Sequence, residues 1–95
     1  MGKKYNRNIN VKHYSSVEEI LDSVNNDPKR PGYQIAYIDR ASNFNTKQAW
    51  LRHLSRNGYH MDDVAEKRPH IGNEEYVALI IEAEPHEVMA LKFTI

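Results

Sequence analysis

Residues 75–83 read EYVALIIEA and include the longest apolar stretch of the chain. The segment is rich in aliphatic and β-branched residues, which favour a β-strand. Successive side chains of a strand point to opposite faces of its sheet, and here both sets are apolar. One set is Tyr76, Ala78 and Ile80, and the other is Val77, Leu79 and Ile81. A strand with two apolar faces is typical of the middle of a sheet that is covered on both sides.

After this strand the sequence predicts a turn and a second strand. The turn is Glu84-Pro85-His86-Glu87, and the strand runs from Val88 to Ile95. Its alternation places Met89, Leu91, Phe93 and Ile95 on one face, with Lys92 and Thr94 towards water. We therefore expect a C-terminal hairpin.

The region before residue 75 predicts two helices and two more strands. Ser15 and Ser16 are each followed three residues later by a glutamate, which is the signature of a helix N-terminus. Four apolar residues at helical spacing follow, and the helix ends near Asn25-Asn26. The second helix is expected over Thr46–Asn57, stopped by Gly58, with Asn43 and Asn45 as candidate caps. The strands are expected over residues 9–14 and 33–39, and residues 59–73 are expected to be irregular, with one helical turn within 62–67.

The order β-α-β-α-β-β predicts an α+β domain, a two-layer sandwich. Its two helices would lie on one face of a four-stranded mixed sheet that ends in the hairpin. The other face would then expose Val77, Leu79 and Ile81 as an interface. A second copy of the chain, a protein partner or the segment 59–73 could cover it. The alternative is that these side chains are half exposed, as in many monomers.

The composition limits the classes of protein that fit. The chain has 95 residues, which predicts a single domain, over residues 9–95. Residues 1–8 are polar and basic and are expected to form a flexible N-terminal arm. Thirteen basic residues balance 13 acidic ones, which argues against a protein that coats DNA by its overall charge. The lack of cysteine excludes disulfides and fits a cytoplasmic protein. No apolar stretch is long enough to span a membrane.

Residues 40–61 contain four basic residues and no carboxylate. In a helix, Trp50, Leu51 and Leu54 would face the sheet, and a basic set would face outward. Outward-facing cations could contact phosphates or an acidic partner, together with the basic arm. The candidate set is Arg40, Arg52, His53, Arg56, Lys3, Lys4 and Arg7. The alternative is an ordinary solvated helix face.

The sequence offers little for catalysis. No serine lies in a nucleophile motif, and the four glycines are isolated, so no phosphate loop is present. His60, Asp62, Asp63, Glu66 and His70 follow no known metal-ligand spacing. We therefore expect no enzyme activity, no metal, no cofactor and no small-molecule substrate.

The sequence thus predicts a small non-enzymatic binding protein that acts through protein–protein contacts. These contacts would be self-association as a homodimer or docking to a larger complex. The alternative is a nucleic-acid-binding accessory or regulatory protein that contacts phosphates through the second helix and the basic N-terminus. The size and the Lys-, Asn- and Ile-rich composition suggest an accessory protein of a bacterium or phage.

Overall fold

The structure, a computed structural model, describes residues 12–95. It has an α+β fold with a mixed sheet, as the sequence predicts. The strands are β1 (His13–Tyr14), β2 (Tyr33–Arg40), β3 (Ala65–Lys67), β4 (His70–Ile71) and β5 (Glu74–Glu82). The helices are α1 (Val17–Asn25), α2 (Phe44–Arg56) and α3 (Pro85–Thr94). The predicted arm 1–8 and residues 9–11 of the predicted first strand lie outside the described residues.

The predicted strand over residues 75–83 is present as the central strand, β5, which covers Glu74–Glu82. β2 pairs antiparallel with one edge of β5, and β3 and β4 pair antiparallel with the other edge. β1 pairs parallel with β4, which makes the sheet mixed. The pairing of β2 with β5 shifts register between Ile35 and Tyr37, because Ile35 pairs with Ile80 but Tyr37 pairs with Leu79, the next residue of β5. Ile35 and Tyr37 therefore lie on opposite faces of the sheet, although they are two residues apart.

Both faces of β5 are covered. Val77, Leu79 and Ile81 pack with residues of α2 and α3, whereas Ala78 and Ile80 pack with Ile20 of α1. Two helices therefore share one face of the sheet, but they are α2 and α3, and α1 takes the other face. Val77, Leu79 and Ile81 are at most 2% exposed. The face that they were expected to expose as an interface is closed, so these residues are not available to a partner.

The last segment is a helix, and the predicted strand over Val88–Ile95 is wrong. Pro85 occupies the first turn, where its fixed φ and missing N–H fit a helix start. The Glu84 backbone N–H donates to Oε1 of Glu87 at 2.7 Å, which satisfies a donor at the helix start. Val88 and Leu91, three residues apart, then point to the same side and are buried. The hairpin lies one strand earlier, where a turn at Gly72 (φ +62°) joins β4 to β5.

The two predicted helices are present, with small differences in their bounds. Ser16 Oγ accepts a hydrogen bond from the Glu19 backbone N–H at 3.2 Å and starts α1 as expected. α2 begins at Phe44, two residues before the predicted start, and Gly58 follows its end with φ +93°. The segment 59–73 is more regular than expected, because it holds a short 3-10 helix at Met61–Asp63 as well as β3 and β4.

Candidate functional site

The predicted phosphate-binding residues of α2 differ in their exposure to solvent. Arg52 and Arg56 are exposed. His53 was expected beside them on the outer side, but only 6% of it is exposed. Its ring meets the indole of Trp50 edge-on at a centroid distance of 5.4 Å. His53 is therefore a core residue and not a ligand for phosphate.

The buried ring of His53 joins α2 to α3. Its Nε2 atom lies 2.9 Å from the carbonyl oxygen of Leu91. A carbonyl oxygen can only accept a hydrogen bond, so Nε2 carries the proton. The amide of Asn57 lies 3.5 Å from Nδ1, the other ring nitrogen. The position of α3 on the sheet is thus fixed by a polar contact as well as by apolar packing.

Lys47, the second of the four basic residues in 40–61, also makes its contacts within the protein. It is 9% exposed, and its Nζ atom lies 3.5 Å from Oε2 of Glu66. The same carboxylate oxygen accepts a hydrogen bond from Arg68 at 2.8 Å. Lys47 Nζ also lies 5.1 Å from the centre of the Phe44 ring. Lys47 therefore pairs with a carboxylate of the same chain and is not part of an outward basic face.

The remaining predicted cations do not gather into one patch. Arg40 is exposed at the end of β2, before α2 begins. A side-chain hydrogen bond with Tyr76 raises the pKa of Arg40 above its ordinary value, and the nearby charge of Glu74 raises it in the same direction. Arg56 ends α2, about 18 Å further along the helix axis than its first residue. Lys3, Lys4 and Arg7 lie outside the described residues, so only Arg52 and Arg56 remain as a pair.

The outer side of α3 is apolar, which the sequence reasoning missed. Phe93 is 81% exposed and Met89, one turn earlier, is 57% exposed. Val88 and Leu91 of the same helix are buried against the sheet. A helix that is apolar on opposite sides is typical of one that is covered on both. The sequence feature that indicates this helix is its N-terminus, where Pro85 follows Glu84 and Glu87 comes three residues after Glu84.

Within residues 12–95 no three histidine or acidic side chains are grouped so that they could hold a metal ion. None of the helices in that range has the length and apolar character that crossing a membrane requires. Comparison of the chain with family models, with curated proteins and with solved structures found no match.

Proposed function

We propose that this chain is a small binding protein that acts through protein–protein contact, and that its contact surface is the outer side of α3. The observation that supports this is the exposure of Phe93 (81%) next to Met89 (57%) on a helix that is anchored to the core. Burial of one such side chain contributes roughly 2 kcal/mol. The two together can form the apolar centre of an interface, where aromatic residues and methionine are enriched.

The partner that we propose is a second copy of the chain. The net charge is zero, so two copies do not repel each other at long range. Two copies related by a two-fold axis would place the same apolar side chains against each other. α3 has 10 residues and is therefore short. Its outer side offers less than the roughly 800 Å² per partner of a standard interface, so we expect weak, concentration-dependent dimers.

Sedimentation or light scattering across micromolar to millimolar protein tests this proposal. The mass of the intact chain is expected to rise towards that of a dimer, and the variant Met89→Ser/Phe93→Ser is expected to stay monomeric. Met61→Ser is the matched control, because Met61 is also 57% exposed but lies outside α3. A monomer at millimolar concentration, or a dimer that both variants form equally, would exclude α3 as the self-association surface.

A second candidate function is contact with nucleic acid through α2. Arg52 and Arg56 are exposed four residues apart, so they lie on the same side of the helix. No carboxylate within residues 12–95 forms an ion pair with either of them. Two cations that have no ion-pair partner in the described part of the chain can contact adjacent phosphates, and such binding weakens as salt rises.

Fluorescence anisotropy with labelled single-stranded and double-stranded DNA over a salt series tests the second candidate. Arg52→Ala/Arg56→Ala is expected to weaken binding and to reduce its salt dependence. Lys29→Ala/Lys92→Ala removes the same charge from exposed positions outside α2 and serves as the control. Absence of binding at low salt, or an equal loss in both double variants, would exclude phosphate contact by α2.

A further inference from the structure

A cleft of about 510 Å³ lies on the face of the sheet opposite α2 and α3. It separates α1 from β3, and Ala78 and Ile80 of β5 form part of its lining. Ile20 and Val24 of α1 line it on one side, and Ala65 of β3 lines it on the other. Its size falls within the range of small-molecule sites, and such sites are commonly apolar with a few polar groups.

The charged residues that line this cleft are mostly cations. Lys12, Arg30 and Lys67 are exposed, and none of them forms an ion pair with another residue in the range 12–95. Arg68 also lines the cleft, but its guanidinium is paired with Glu66 and Glu75. Asp27 is the one carboxylate that residues 12–95 contribute to the lining, and it accepts a hydrogen bond from the Lys29 backbone N–H at 2.9 Å.

This local excess of positive charge contrasts with the neutral chain. A neighbouring hollow shares Arg30, Tyr33 and Ala65 with the cleft, but its other charged residues are acidic. They are Asp62, Asp63 and Glu82. The acidic hollow offsets the charge of Arg30, whereas Lys12 and Lys67 lie beyond it. An anion is therefore attracted most strongly to the Lys12 and Lys67 end of the cleft.

The sheet register separates the two ends. Lys67 pairs with Ala78 across β3 and β5. Lys12 lies beside His70, three residues after Lys67 in the chain, because the Lys12 carbonyl oxygen accepts a hydrogen bond from the His70 backbone N–H at 2.9 Å, and both lysines line the cleft. Arg30 lies near Tyr33, which pairs with Glu82. Four residues of an extended strand span about 13 Å. The cleft can thus hold an elongated molecule with its charged group at one end.

We propose that this cleft binds a small organic anion, in which a carboxylate or phosphate is attached to an apolar or aromatic body. The body lies on Ala78 and Ile80, and the half-buried tyrosines Tyr14 and Tyr33 contact it. The ammonium groups of Lys12 and Lys67 bind the anionic group. A hydrogen bond between charged groups is stronger than one between neutral groups, so the anion fixes the orientation of the ligand.

The test uses the full chain and four probes. Dodecanoate carries a carboxylate and naphthyl phosphate a phosphate, and dodecanol and naphthol are their neutral counterparts. Amide chemical shifts are followed by NMR during each titration. We expect the anions to shift the amide signals of residues 65–67 and 78–80. The neutral probes are expected to bind at least roughly ten-fold more weakly. Because the two anions also differ in their apolar bodies, the contribution of each charged group is measured against its own neutral counterpart.

Variants show whether the cleft is responsible. Lys67→Ala is expected to weaken anion binding roughly ten-fold, and Lys67→Glu to abolish it. Lys29→Ala, an exposed cation outside the lining, is the control and is expected to leave binding unchanged. Ala65→Phe is expected to block the cleft. If that variant fails to fold, Lys67→Glu still decides, because Lys67 is exposed.

Three results would overturn the proposal. The first is the absence of anion binding at millimolar concentration, and the second is equal binding by Lys67→Glu. The third is binding that is seen only in Ile9→Asp/Val11→Asp, which would assign the cleft to the chain's own N-terminal segment. Shifts confined to α3 would be adsorption to Met89 and Phe93 and would count as absence of binding in the cleft.

Discussion

The carbonyl oxygen of Leu91 in α3 lies 2.9 Å from Nε2 of His53 in α2. The two residues are separated by 38 positions in the sequence, and both are buried. Since α2 and α3 cover the same face of the sheet, this bond sets the position of the helix whose outer side we propose as the contact surface.

Replacement of His53 by alanine is expected to destabilise the protein by about 2–4 kcal/mol. The change leaves a cavity beside Trp50 and removes the donor to the Leu91 carbonyl. Chemical denaturation measures the free energy of unfolding. Arg52→Ala, at the exposed neighbouring position, is the control and is expected to change it by less than about 0.5 kcal/mol. Equal effects would show that His53 is not a core residue.

Replacement of Tyr37 by phenylalanine is expected to leave stability unchanged or to raise it by up to about 1 kcal/mol. The Tyr37 hydroxyl is buried and has no hydrogen-bond partner within residues 12–95. Burying such a group costs free energy that no hydrogen bond offsets, and the substitution removes this cost. The ring stays stacked on Trp50 at 5.8 Å. A clear loss of stability on thermal or chemical unfolding would show that the hydroxyl has a partner.

The same tyrosine predicts a loss of stability at alkaline pH. Burial, and secondarily the charge of Asp39, raises the pKa of Tyr37 above its ordinary value of 10.0. Burial and Glu87 raise the pKa of Tyr59 in the same direction. A raised pKa in the folded state stabilises it below the unfolded pKa, and this contribution is lost as pH rises through the folded value. Unfolding free energies from about pH 8 to 11 should fall, and less steeply in Tyr37→Phe.

Replacement of Gly58 by alanine is expected to cost about 1–2 kcal/mol. The backbone at Gly58 has φ +93°, which side chains with a Cβ rarely adopt. A Cβ at this position would meet no atom of residues 12–95 within 4 Å, so the expected cost comes from the backbone conformation. Asn tolerates the left-handed region better, so Gly58→Asn is expected to cost less. Equal unfolding free energies of the two variants would contradict this explanation.

The ion network of Lys47 predicts an asymmetry between its partners. Glu66→Ala leaves the buried ammonium of Lys47 without its carboxylate and is expected to cost about 1–3 kcal/mol. Lys47→Met removes the charge and keeps the apolar stem, while Glu66 keeps its contact with Arg68. The change at Lys47 is expected to cost less than about 1 kcal/mol. Chemical denaturation of both variants measures the two losses of unfolding free energy. A larger loss for Lys47→Met than for Glu66→Ala would contradict the predicted asymmetry.

The parts of the fold that could be predicted are those with a local cause. α1 could be predicted because its cap and its apolar spacing lie within ten residues of each other. β5 could be predicted because both of its faces are apolar, which few structures other than a central strand allow. Trp50 and Leu54 could be placed in the core because α2 has one apolar side.

The last eight residues show why local patterns were not sufficient. Their apolar residues fit both alternation and helical spacing, because Leu91 belongs to both sets. The hydrogen bond between Glu84 and Glu87 at the N-terminus and the burial of Val88 and Leu91 both favour the helix. In the helix, Met89 and Phe93 are exposed to solvent. The candidate contact surface depends on the helix, so the alternation that predicts a strand does not predict this surface.

The sequence by itself determined the α+β class, the central strand and the first two helices, because their causes are short-range. The tertiary structure decided which face each helix covers, since this depends on how β2 and β5 pair and on the register shift at Ala36. It also decided that His53 is buried and that Lys12, Arg30 and Lys67 line one cleft. Contacts between residues so far apart in the sequence leave no periodic signal, because they form only when the sheet brings the segments together.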